Sequence, residues 1–564
     1  MSFRKIMALM LAALLFVSCT TALADKRLVD DALVTLTTGK TDYTGKTVIL
    51  HSNDVHGAID GYAYMAGMAA KLREMGATVI LVDAGDFSQG DIYVSISKGA
   101  TAIEMMNAAG YDVVTLGNHE FDFGYEQLME NLSAAKFPVI SANIYKDDQP
   151  ILPASTVLET ESGLKLGFFG METPETATKV NPGLIEGIRF STFDDLYTTA
   201  QAAADELKAQ GVDLVIGLWH LGILDESAPN GYRSTDVFHK ITGVDFVIDG
   251  HSHTVMTKGP DDEPIQSTGT KFANIGAIVI DDATKTIEDN FLMPTAYITK
   301  DADVQAQAQA IIDAVDEQYG SPFATNEVLL NGERAPGNRT EETNLGDLIT
   351  DAMVWSVVKE GGIEQVEPNA VVGITNGGGI RATIEPGDVS MKSVNTVLPF
   401  GNTVAVVYVT GEKLLESLEA STFCTPESIG GFPQTSGIEW TLDTTVEYDQ
   451  GDLYVNHDGG ETSYYAPASI KRVTIDSING EPFDPAATYA VVTNNFCAVG
   501  GDTYNAFMES WYAGAGFDTG IPLDEAVVNY VTEVLEGKIT EETYGQPRGS
   551  LKMIVAEAEE QPAA

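Results

Sequence analysis

The first half of the chain alternates short apolar runs with amphipathic stretches. The runs TVILHSND (47–54), ATVILVDAGD (77–86) and DVVTLGNHE (112–120) are continuous and rich in β-branched residues. Helical patterns separate them, first in YAYMAGMAAKLREMG and then in GATAIEMMNAAG. Continuous apolar runs are typical of strands that are buried on both faces and covered by helices. Residues 42–320 therefore predict an α/β domain.

The second half has a different pattern. An Ala- and Gln-rich helix is predicted at 301–320, and a stretch rich in Gly, Pro and Asn at 321–337 predicts a linker. Residues 338–553 mix one long helical stretch, NLGDLITDAMVWSVVKE, with short β-like runs and glycine-rich loops. This mixture predicts an α+β domain. The acidic, polar tail at 554–564 is predicted to be disordered.

The N-terminus has the pattern of an export signal. Arg4 and Lys5 precede an apolar stretch that ends in small residues, which predicts a secretory signal peptide at 1–24. Cys19 also resembles a lipoprotein acylation site, so free export and a lipid anchor both stay open. No later apolar run is long enough to span a membrane. The mature chain is thus predicted to be periplasmic or extracellular.

The charge of the chain limits the kinds of molecule that it can bind, and its cysteine content limits the disulfides that it can form. The chain contains 32 Lys and Arg residues and 82 Asp and Glu residues, which gives a formal net charge of -50. A surface this acidic repels nucleic-acid polymers, and an anionic substrate would need local positive charge from a metal or arginine. After the signal, Cys424 and Cys497 are the remaining cysteines, and the sequence leaves open whether they pair. It also leaves the oligomeric state open.

Polar side chains that can bind metals or take part in catalysis follow five of the predicted strands in the first half. They are Asp54, His56, Asp86, Asn118, His119, Asp122, His220, His251 and His253. A single histidine is more often structural, but ligands in open α/β sheets bind at the carboxyl ends of strands, where this whole set is placed. Their nitrogen and oxygen atoms suit first-row divalent metals. Two such ions about 4 Å apart clamp a phosphoryl group and activate water.

The motifs SNDVHG, DAGD, GNHEFD and GHSH resemble, in this order, those of the calcineurin-like dinuclear metallophosphoesterases. With the second half included, residues 45–553 resemble the secreted bacterial 5′-nucleotidase and UDP-sugar hydrolase family. The resemblance implies a metallophosphoesterase β-sandwich flanked by helices at 42–320 and a nucleotide-binding domain at 338–553. It also implies that the second domain rotates to carry the substrate to the metals.

The same resemblance assigns roles around the metals. Asp54, His56 and His253 are implied to bind one ion, Asn118, His220 and His251 the other, and Asp86 to bridge them. His119 is implied to act on the phosphate or on the leaving oxygen. Asp122 either orients His119 or caps the helix that follows. The ligand types do not choose among Zn²⁺, Mn²⁺, Co²⁺ and Fe²⁺.

The second half is implied to bind the nucleoside. The family's substrate residues correspond to Asn376 and Arg381 in NGGGIR, Phe432 in GGFPQTSG, and Phe496 and Asp502 in NNFCAVGGDTY. The two phenylalanines are implied to sandwich the base, and Asp502 to take the ribose hydroxyls. Thr503 stands where the family often has Gly, which leaves the fine specificity open. Arg339 contacts phosphate or forms a surface pair, and LPFGNTV (398–404) is interpreted as structural.

The sequence thus predicts an exported, metal-dependent hydrolase of nucleoside 5′-monophosphates that serves nucleotide catabolism and salvage. Nucleotide sugars and nucleoside di- and triphosphates are further candidate substrates. A 2′,3′-cyclic nucleotide phosphodiesterase with 3′-nucleotidase activity shares most of the motifs and remains an alternative. A metal-dependent surface binding protein is a third reading, although a module that only binds has no need of His119.

Overall fold

The computed structural model describes residues 42–555 except 360, 362, 364, 458 and 459. The predicted signal peptide at 1–24, with Cys19, and nearly all of the predicted tail at 554–564 lie outside the described residues. Within the described part of the chain, no helix combines the length and the apolar character needed to cross a bilayer.

Two six-stranded sheets form the centre of the first domain. In spatial order, the first sheet contains Thr286–Pro294, Asn274–Asp281, Lys46–Ser52, Thr78–Asp83, Val113–Thr115 and Val139–Ile140. The second contains Val255–Met256, Ile265–Thr268, Phe246–Ile248, Leu214–His220, Lys165–Glu172 and Ser155–Glu159. Alternate residues of a strand face opposite ways, so Ile49 packs between the sheets whereas Val48 and Leu50 pack under helices.

Helices cover both outer faces of this sandwich. Tyr62–Glu74, Ala100–Ala109 and Ala302–Tyr319 pack on the first sheet, and Phe193–Ala209 packs on the second. The domain also contains a 3-10 helix, Asn118–Phe121, the α-helices Ile92–Ser95, Tyr125–Ser133, Thr176–Lys179 and Ser234–Lys240, and a small sheet of Gln149–Pro150, Ile144–Lys146 and Ile188–Phe190. The predicted sandwich flanked by helices is confirmed.

The second domain is α+β, as predicted. Its five-stranded sheet contains, in order, Pro433–Ser436, Val371–Asn376, Thr488–Asn494, Thr403–Thr410 and Gly516–Pro522. Smaller sheets comprise Glu481–Pro482, Val473–Ile478, Ile438–Asp443 and Leu551–Ile554, and the hairpin Gln450–Val455 with Glu461–Pro467. The helices are Asn344–Lys359, Met391–Val397, Gly411–Ala420, Asn495–Ala498, Asn505–Tyr512, Leu523–Glu533 and Glu541–Tyr544.

The structure differs from the predicted linker at 321–337. Strand Pro322–Asn326 pairs antiparallel with Gly387–Ser390 and parallel with Lys538–Ile539, both in the second domain. Composition favoured a free connection, but the backbone groups of this strand are used in a sheet and Ala324 is buried in the core of the second domain. The second domain therefore begins almost directly after the helix Ala302–Tyr319.

Candidate active site

A cavity of about 600 Å³ lies where the two domains meet. From the first domain it is lined by Asp86, Asn118, His119, Asp122, His251 and His253, and from the second by Asn376, Arg381, Phe400, Phe496 and Asp502, among others. The first-domain residues lie in loops that follow strands of the two sheets, where ligands of such folds bind. The fold thus brings the predicted metal ligands and most of the predicted nucleoside-binding residues to one place.

The acidic and imidazole side chains form overlapping groups that are able to hold a metal ion. The ligand atoms of Asp54, His56 and His253 lie within 4.8 Å of one another, and so do those of Asp54, Asp86 and His220. Asp86 Oδ2 is 3.1 Å from His220 Nε2 and 3.7 Å from His56 Nε2. A carboxylate shared between two ions needs such a central position.

Hydrogen bonds fix which ring nitrogens face the centre. His56 Nδ1 donates to the carbonyl of Gln89 at 3.1 Å, and His220 Nδ1 donates to the carbonyl of Ala84 at 2.6 Å. Each Nε2 is therefore the ring nitrogen that is directed toward the other candidate ligands and can bind an ion. His220 Nε2 is buried without a hydrogen-bond partner among the described atoms, although it faces the Asp86 carboxylate. This donor set fits a divalent cation.

His251 and Asn118 complete the group. His251 Nδ1 lies 2.9 Å from Asn118 Oδ1, and its backbone N–H donates to Asp54 Oδ1 at 3.1 Å. The other ring nitrogen, Nε2, is 3.1 Å from Glu175 Oε2. Glu175 therefore orients the ring so that Nδ1 faces the centre. Sequence reasoning missed this carboxylate, whose signal is its place just after the strand Lys165–Glu172.

The backbone at the candidate ligands is unusual. Asp54, His56, Asp86, His251 and His253 all have positive φ, between 45° and 70°. Residues other than glycine rarely adopt this left-handed conformation, and each instance costs roughly 1–3 kcal/mol. Such strain persists where surrounding structure enforces it, and it clusters at functional sites.

Glu120 joins the two loops that carry Asp86 and His119. Its buried carboxylate accepts backbone N–H groups from Gly117, Asp86, Phe87 and Ser88 at 2.6–2.9 Å. A Cβ at Gly117 would lie 2.3 Å from Asp86 Oδ1, so the approach of the loops requires glycine there. No local sequence pattern distinguishes Glu120, because its role depends on contacts between distant segments.

The site holds an excess of buried acid. Burial raises the pKa of Asp54 to about 7, against the opposing influence of His220. Burial acts to lower the pKa of His220, but the carboxylates of Asp86 and Asp54 raise it well above its ordinary value. A bound divalent cation would satisfy these carboxylates and displace the protons.

His119 lies beside this group and is held by Asp122. His119 Nδ1 is 2.6 Å from Asp122 Oδ2, and His119 Nε2 is 4.0 Å from Asp86 Oδ2. The helix Tyr125–Ser133 has Gly124 as its N-cap and no side-chain cap. The alternative in which Asp122 caps that helix is therefore wrong.

Three arginines create a positive region within this acidic chain. Arg334, Arg339 and Arg381 line the cavity, and Arg381 Nη2 is 3.4 Å from His56 Nε2. Burial, with the neighbouring Arg339, lowers the pKa of Arg334 to about 9 and that of Arg381 to about 10, so both stay charged at neutral pH. Arg334 was missed in the sequence, where it lies within the supposed linker.

The prediction that Phe432 contacts the base is wrong. Phe432 is fully buried in the core of the second domain and does not line the cavity. Phe400, in the LPFGNTV stretch interpreted as structural, lines the cavity together with Phe496. The Phe400 ring lies 5.5 Å from the His119 ring, between centroids. Phe400 and Phe432 each have a glycine neighbour in sequence, so only tertiary packing decides which of the two faces the cavity.

Of the remaining predicted residues, Asn376 and Asp502 line the cavity. Asn376 Nδ2 donates to Asp502 Oδ2 at 2.7 Å, which fixes the carboxylate. Thr503 is buried and donates to Ser421 at 2.7 Å. Its side chain is thus engaged within the second domain. Cys424 and Cys497, whose pairing the sequence left open, are both free thiols in the structure.

Two family models match the chain. The calcineurin-like phosphoesterase model matches residues 47–255, and the 5′-nucleotidase, C-terminal domain model matches residues 322–509. The second match begins at residue 322, where the strand Pro322–Asn326 begins.

Curated relatives of this chain are named as nucleotide phosphoesterases or 5′-nucleotidases. The chain is 30% identical over 548 residues to the trifunctional nucleotide phosphoesterase protein of Bacillus subtilis, an alignment covering 87% of this chain and 35% of that longer protein. It is 28% identical to the 5′-nucleotidase of Homo sapiens, with 90% of this chain and 92% of the human protein covered.

Solved structures agree. The 5′-nucleotidase precursor from Thermus thermophilus superposes with a TM-score of 0.74 at 27% identity, covering 91% of this chain and 100% of that one. The sulfate thiohydrolase SoxB of the same species has a TM-score of 0.69 at 16% identity over 91% of this chain and 98% of its own, which shows a shared fold alone. A phosphoesterase domain followed by a 5′-nucleotidase C-terminal domain makes this chain a member of the 5′-nucleotidase family of metallophosphoesterases, and therefore a hydrolase.

Proposed function

We propose that the chain is an exported enzyme that releases phosphate from nucleoside 5′-monophosphates. One observation carries the proposal: a metal-ligand cluster, three arginines and two phenylalanines line the same cavity. The cluster and the arginines suit a phosphate, and the aromatic rings suit a base at the other end of the same small molecule.

Two divalent ions are the proposed cofactors. Asp54, His56 and His253 would hold one, Asn118, His220 and His251 the other, and Asp86 both. When bound, such a pair polarises the phosphoryl oxygens and activates water for attack. Zn²⁺, Mn²⁺, Co²⁺ and Fe²⁺ all accept this mixture of nitrogen and oxygen ligands, so metal analysis of the purified chain decides the identity.

His119 is the proposed catalytic residue. Asp122 holds Nδ1 at 2.6 Å and thereby turns Nε2 toward the metal-ligand cluster. In its imidazolium form, Nε2–H donates to a phosphoryl oxygen or delivers a proton to the leaving ribose oxygen. Asp122 acts through His119 and is a positioning residue.

The arginines are proposed to bind the phosphate. Arg381 lies nearest to the metal ligands by its 3.4 Å contact with His56, and Arg339 and Arg334 line the same cavity. A guanidinium presents a planar fork that matches two phosphate oxygens. These charges give the anionic substrate a local attraction that the net charge of -50 opposes.

The second domain is proposed to select the nucleoside. Phe400 and Phe496 would stack on the base, which suits any nucleobase because every base has a π-face. Asp502, held by Asn376, would accept hydrogen bonds from the ribose hydroxyls. This assignment replaces Phe432 with Phe400 and keeps the other predicted nucleoside residues.

The decisive experiment measures phosphate release from 5′-AMP by the purified mature chain, after chelation and after addition of Mn²⁺ or Zn²⁺. We expect chelation to stop release and a metal to restore it. 3′-AMP, 2′,3′-cyclic AMP, a UDP-sugar and ATP serve as comparison substrates. Metal-restored turnover of 2′,3′-cyclic AMP without turnover of 5′-AMP would assign the phosphodiesterase alternative instead.

Export is the second part of the proposal and rests on the signal pattern at 1–24. Mass spectrometry of the protein from its native host tests it. A mature N-terminus at Asp25 would support cleavage by signal peptidase, and a lipid-modified N-terminal Cys19 would support a lipid anchor. An unprocessed cytoplasmic chain would contradict export.

A further inference from the structure

Lys179 ends the short first-domain helix Thr176–Lys179, and its side chain reaches into the second domain. Its Nζ donates to Glu226 Oε1 at 3.2 Å and to the Tyr464 hydroxyl at 3.0 Å. It also lies 4.0 Å from Asp502 Oδ1. The side chain is only 11% exposed and lines the cavity. A buried ammonium thus sits at the contact between the two halves of the site.

The same ammonium is connected to the metal-ligand cluster. Lys179 Nζ is 3.8 Å from Glu175 Oε2, and that oxygen is 3.1 Å from His251 Nε2. Toward the second domain, Asp502 accepts a hydrogen bond from Asn376. One cation therefore lies between the carboxylate that orients a proposed metal ligand and the carboxylate proposed to hold the ribose.

Three buried carboxylates surround this one cation. The side chains of Glu175 and Glu226 are each 1% exposed, and that of Asp502 is 6% exposed. Glu226 Oε2 has no hydrogen-bond partner among the described atoms. Without Lys179 the three carboxylates would lose the cation that they share across the domain boundary, and a buried charge that loses its counter-charge is strongly unfavourable.

Neighbouring bonds cross the boundary at the same place. The backbone N–H of Asp502 donates to the carbonyl of Thr178 at 2.8 Å. The side chain of Asn230 donates to the carbonyl of Ser463. The loop that carries Asp502 is therefore docked directly on the helix that carries Lys179.

We propose that Lys179 is a positioning residue that locks the nucleoside-binding loop of the second domain against the metal half of the site. The inference rests on the proposed function, in which Asp502 takes the ribose. It implies that Lys179 matters most for substrates that engage Asp502. An aryl phosphate, which has no ribose, depends on it much less.

The kinetic test compares Lys179→Met with Lys392→Met. Lys392 makes a different ion pair across the domains, with Asp316 at 2.5 Å, and does not line the cavity. We expect Lys179→Met to lower kcat/KM for 5′-AMP by roughly 30-fold, mainly through KM, because losing one partner of a buried charge pair costs at least about 2 kcal/mol. p-Nitrophenyl phosphate should lose far less, and Lys392→Met should resemble wild type with both substrates.

A second readout does not depend on turnover. Small-angle scattering and calorimetric binding of adenosine are measured on the full mature chain, with and without added metal. Lys179→Met should show a larger radius of gyration and weaker adenosine binding than wild type. Equal radii and equal adenosine affinities would overturn the proposal. If wild type fails to hydrolyse 5′-AMP while Lys179→Met has a larger radius of gyration than wild type, the proposed function is refuted and the locking contact made by Lys179 is supported.

Tyr464→Phe keeps the test decisive if Lys179→Met does not fold. It removes the second-domain acceptor of Lys179 and leaves the charges of the first domain paired. We expect a loss of adenosine affinity of about fivefold, the cost of one hydrogen bond of about 1 kcal/mol. Wild-type affinity in folded Tyr464→Phe, beside an unfolded Lys179→Met, would reduce Lys179 to a structural residue and reject the proposal.

Discussion

His119 Nδ1 and Asp122 Oδ2 lie 2.6 Å apart, three residues from each other in the chain. His119 also lies with His56 and Asp86 in a group whose potential metal-ligand atoms are within 4.8 Å of one another. The pair leaves the other imidazole nitrogen facing Asp86. This arrangement resembles a general acid with its orienting carboxylate more than a pair of metal ligands.

Replacing His119 should therefore damage chemistry and spare metal binding. We expect His119→Ala to lower kcat for 5′-AMP by about 10²–10⁴-fold, the usual contribution of general acid catalysis. Asp122→Asn should lower it less, because the ring keeps its place but loses the anion beside Nδ1. Metal content per chain should match wild type in both variants. Loss of metal from His119→Ala would make His119 a ligand.

Phe400 and Phe432 should exchange the effects that the sequence predicts for them. Phe400→Ala should raise KM for 5′-AMP by about 5- to 150-fold, since stacking on a base is worth about 1–3 kcal/mol, with little change in stability. Phe432→Ala should lower the free energy of unfolding by about 3–5 kcal/mol because it empties a buried position. Steady-state kinetics and urea denaturation of both variants check this. A KM effect confined to Phe432→Ala would restore the sequence-based assignment.

His220 should be required for full metal loading. His220→Ala removes an imidazole whose Nε2 lies 3.1 Å from Asp86, the proposed bridging carboxylate. We therefore expect this variant to lose about one bound ion per chain relative to wild type, measured by inductively coupled plasma mass spectrometry after dialysis. His457→Ala is the matched control, because His457 stacks on Tyr512 in the second domain. Equal metal content in His220→Ala and wild type would contradict the proposed ligand set.

Stability should depend on pH through Asp347, far from the metal ligands. Burial raises the pKa of Asp347 to about 7 despite the nearby Arg548. Between about pH 4 and 7 the folded chain holds a proton that the unfolded chain releases, so stability from this group is lost as pH rises through that window.

Asp347→Asn removes this titration. The free energy of unfolding of wild type should therefore fall relative to that of Asp347→Asn between pH 5 and pH 8, by about 1.4 kcal/mol for each unit of pKa difference titrated. Asp388→Asn, at an exposed position, controls for general charge effects. Parallel pH profiles for wild type and Asp347→Asn would show that Asp347 titrates normally.

The cluster of candidate metal ligands was predictable from sequence for a physical reason. His56, Asp86 and Asn118 follow successive parallel strands of one sheet, and parallel strands deliver their carboxyl ends to a common edge. Apolar runs reveal such strands without any knowledge of side-chain contacts. Element types and the location of the cluster therefore follow from local patterns.

The residues that sequence reasoning missed lie where distant segments meet. Phe400, Arg334 and Lys179 have no local pattern that separates them from ordinary loop or helix residues. Their roles arise from the packing of the second domain against the first. The prediction for Phe432 was wrong for the same reason, since a phenylalanine that follows two glycines is equally compatible with a hydrophobic core and with a binding pocket.

The left-handed backbone at Asp54, His56, Asp86, His251 and His253 sets stability against activity. Glycine at any of these positions would relieve the left-handed strain of the folded chain. Selection for robustness alone would thus erase the ligands one by one. The five strained positions therefore mark the part of the molecule where an engineered variant would gain backbone relaxation and lose candidate metal ligands together.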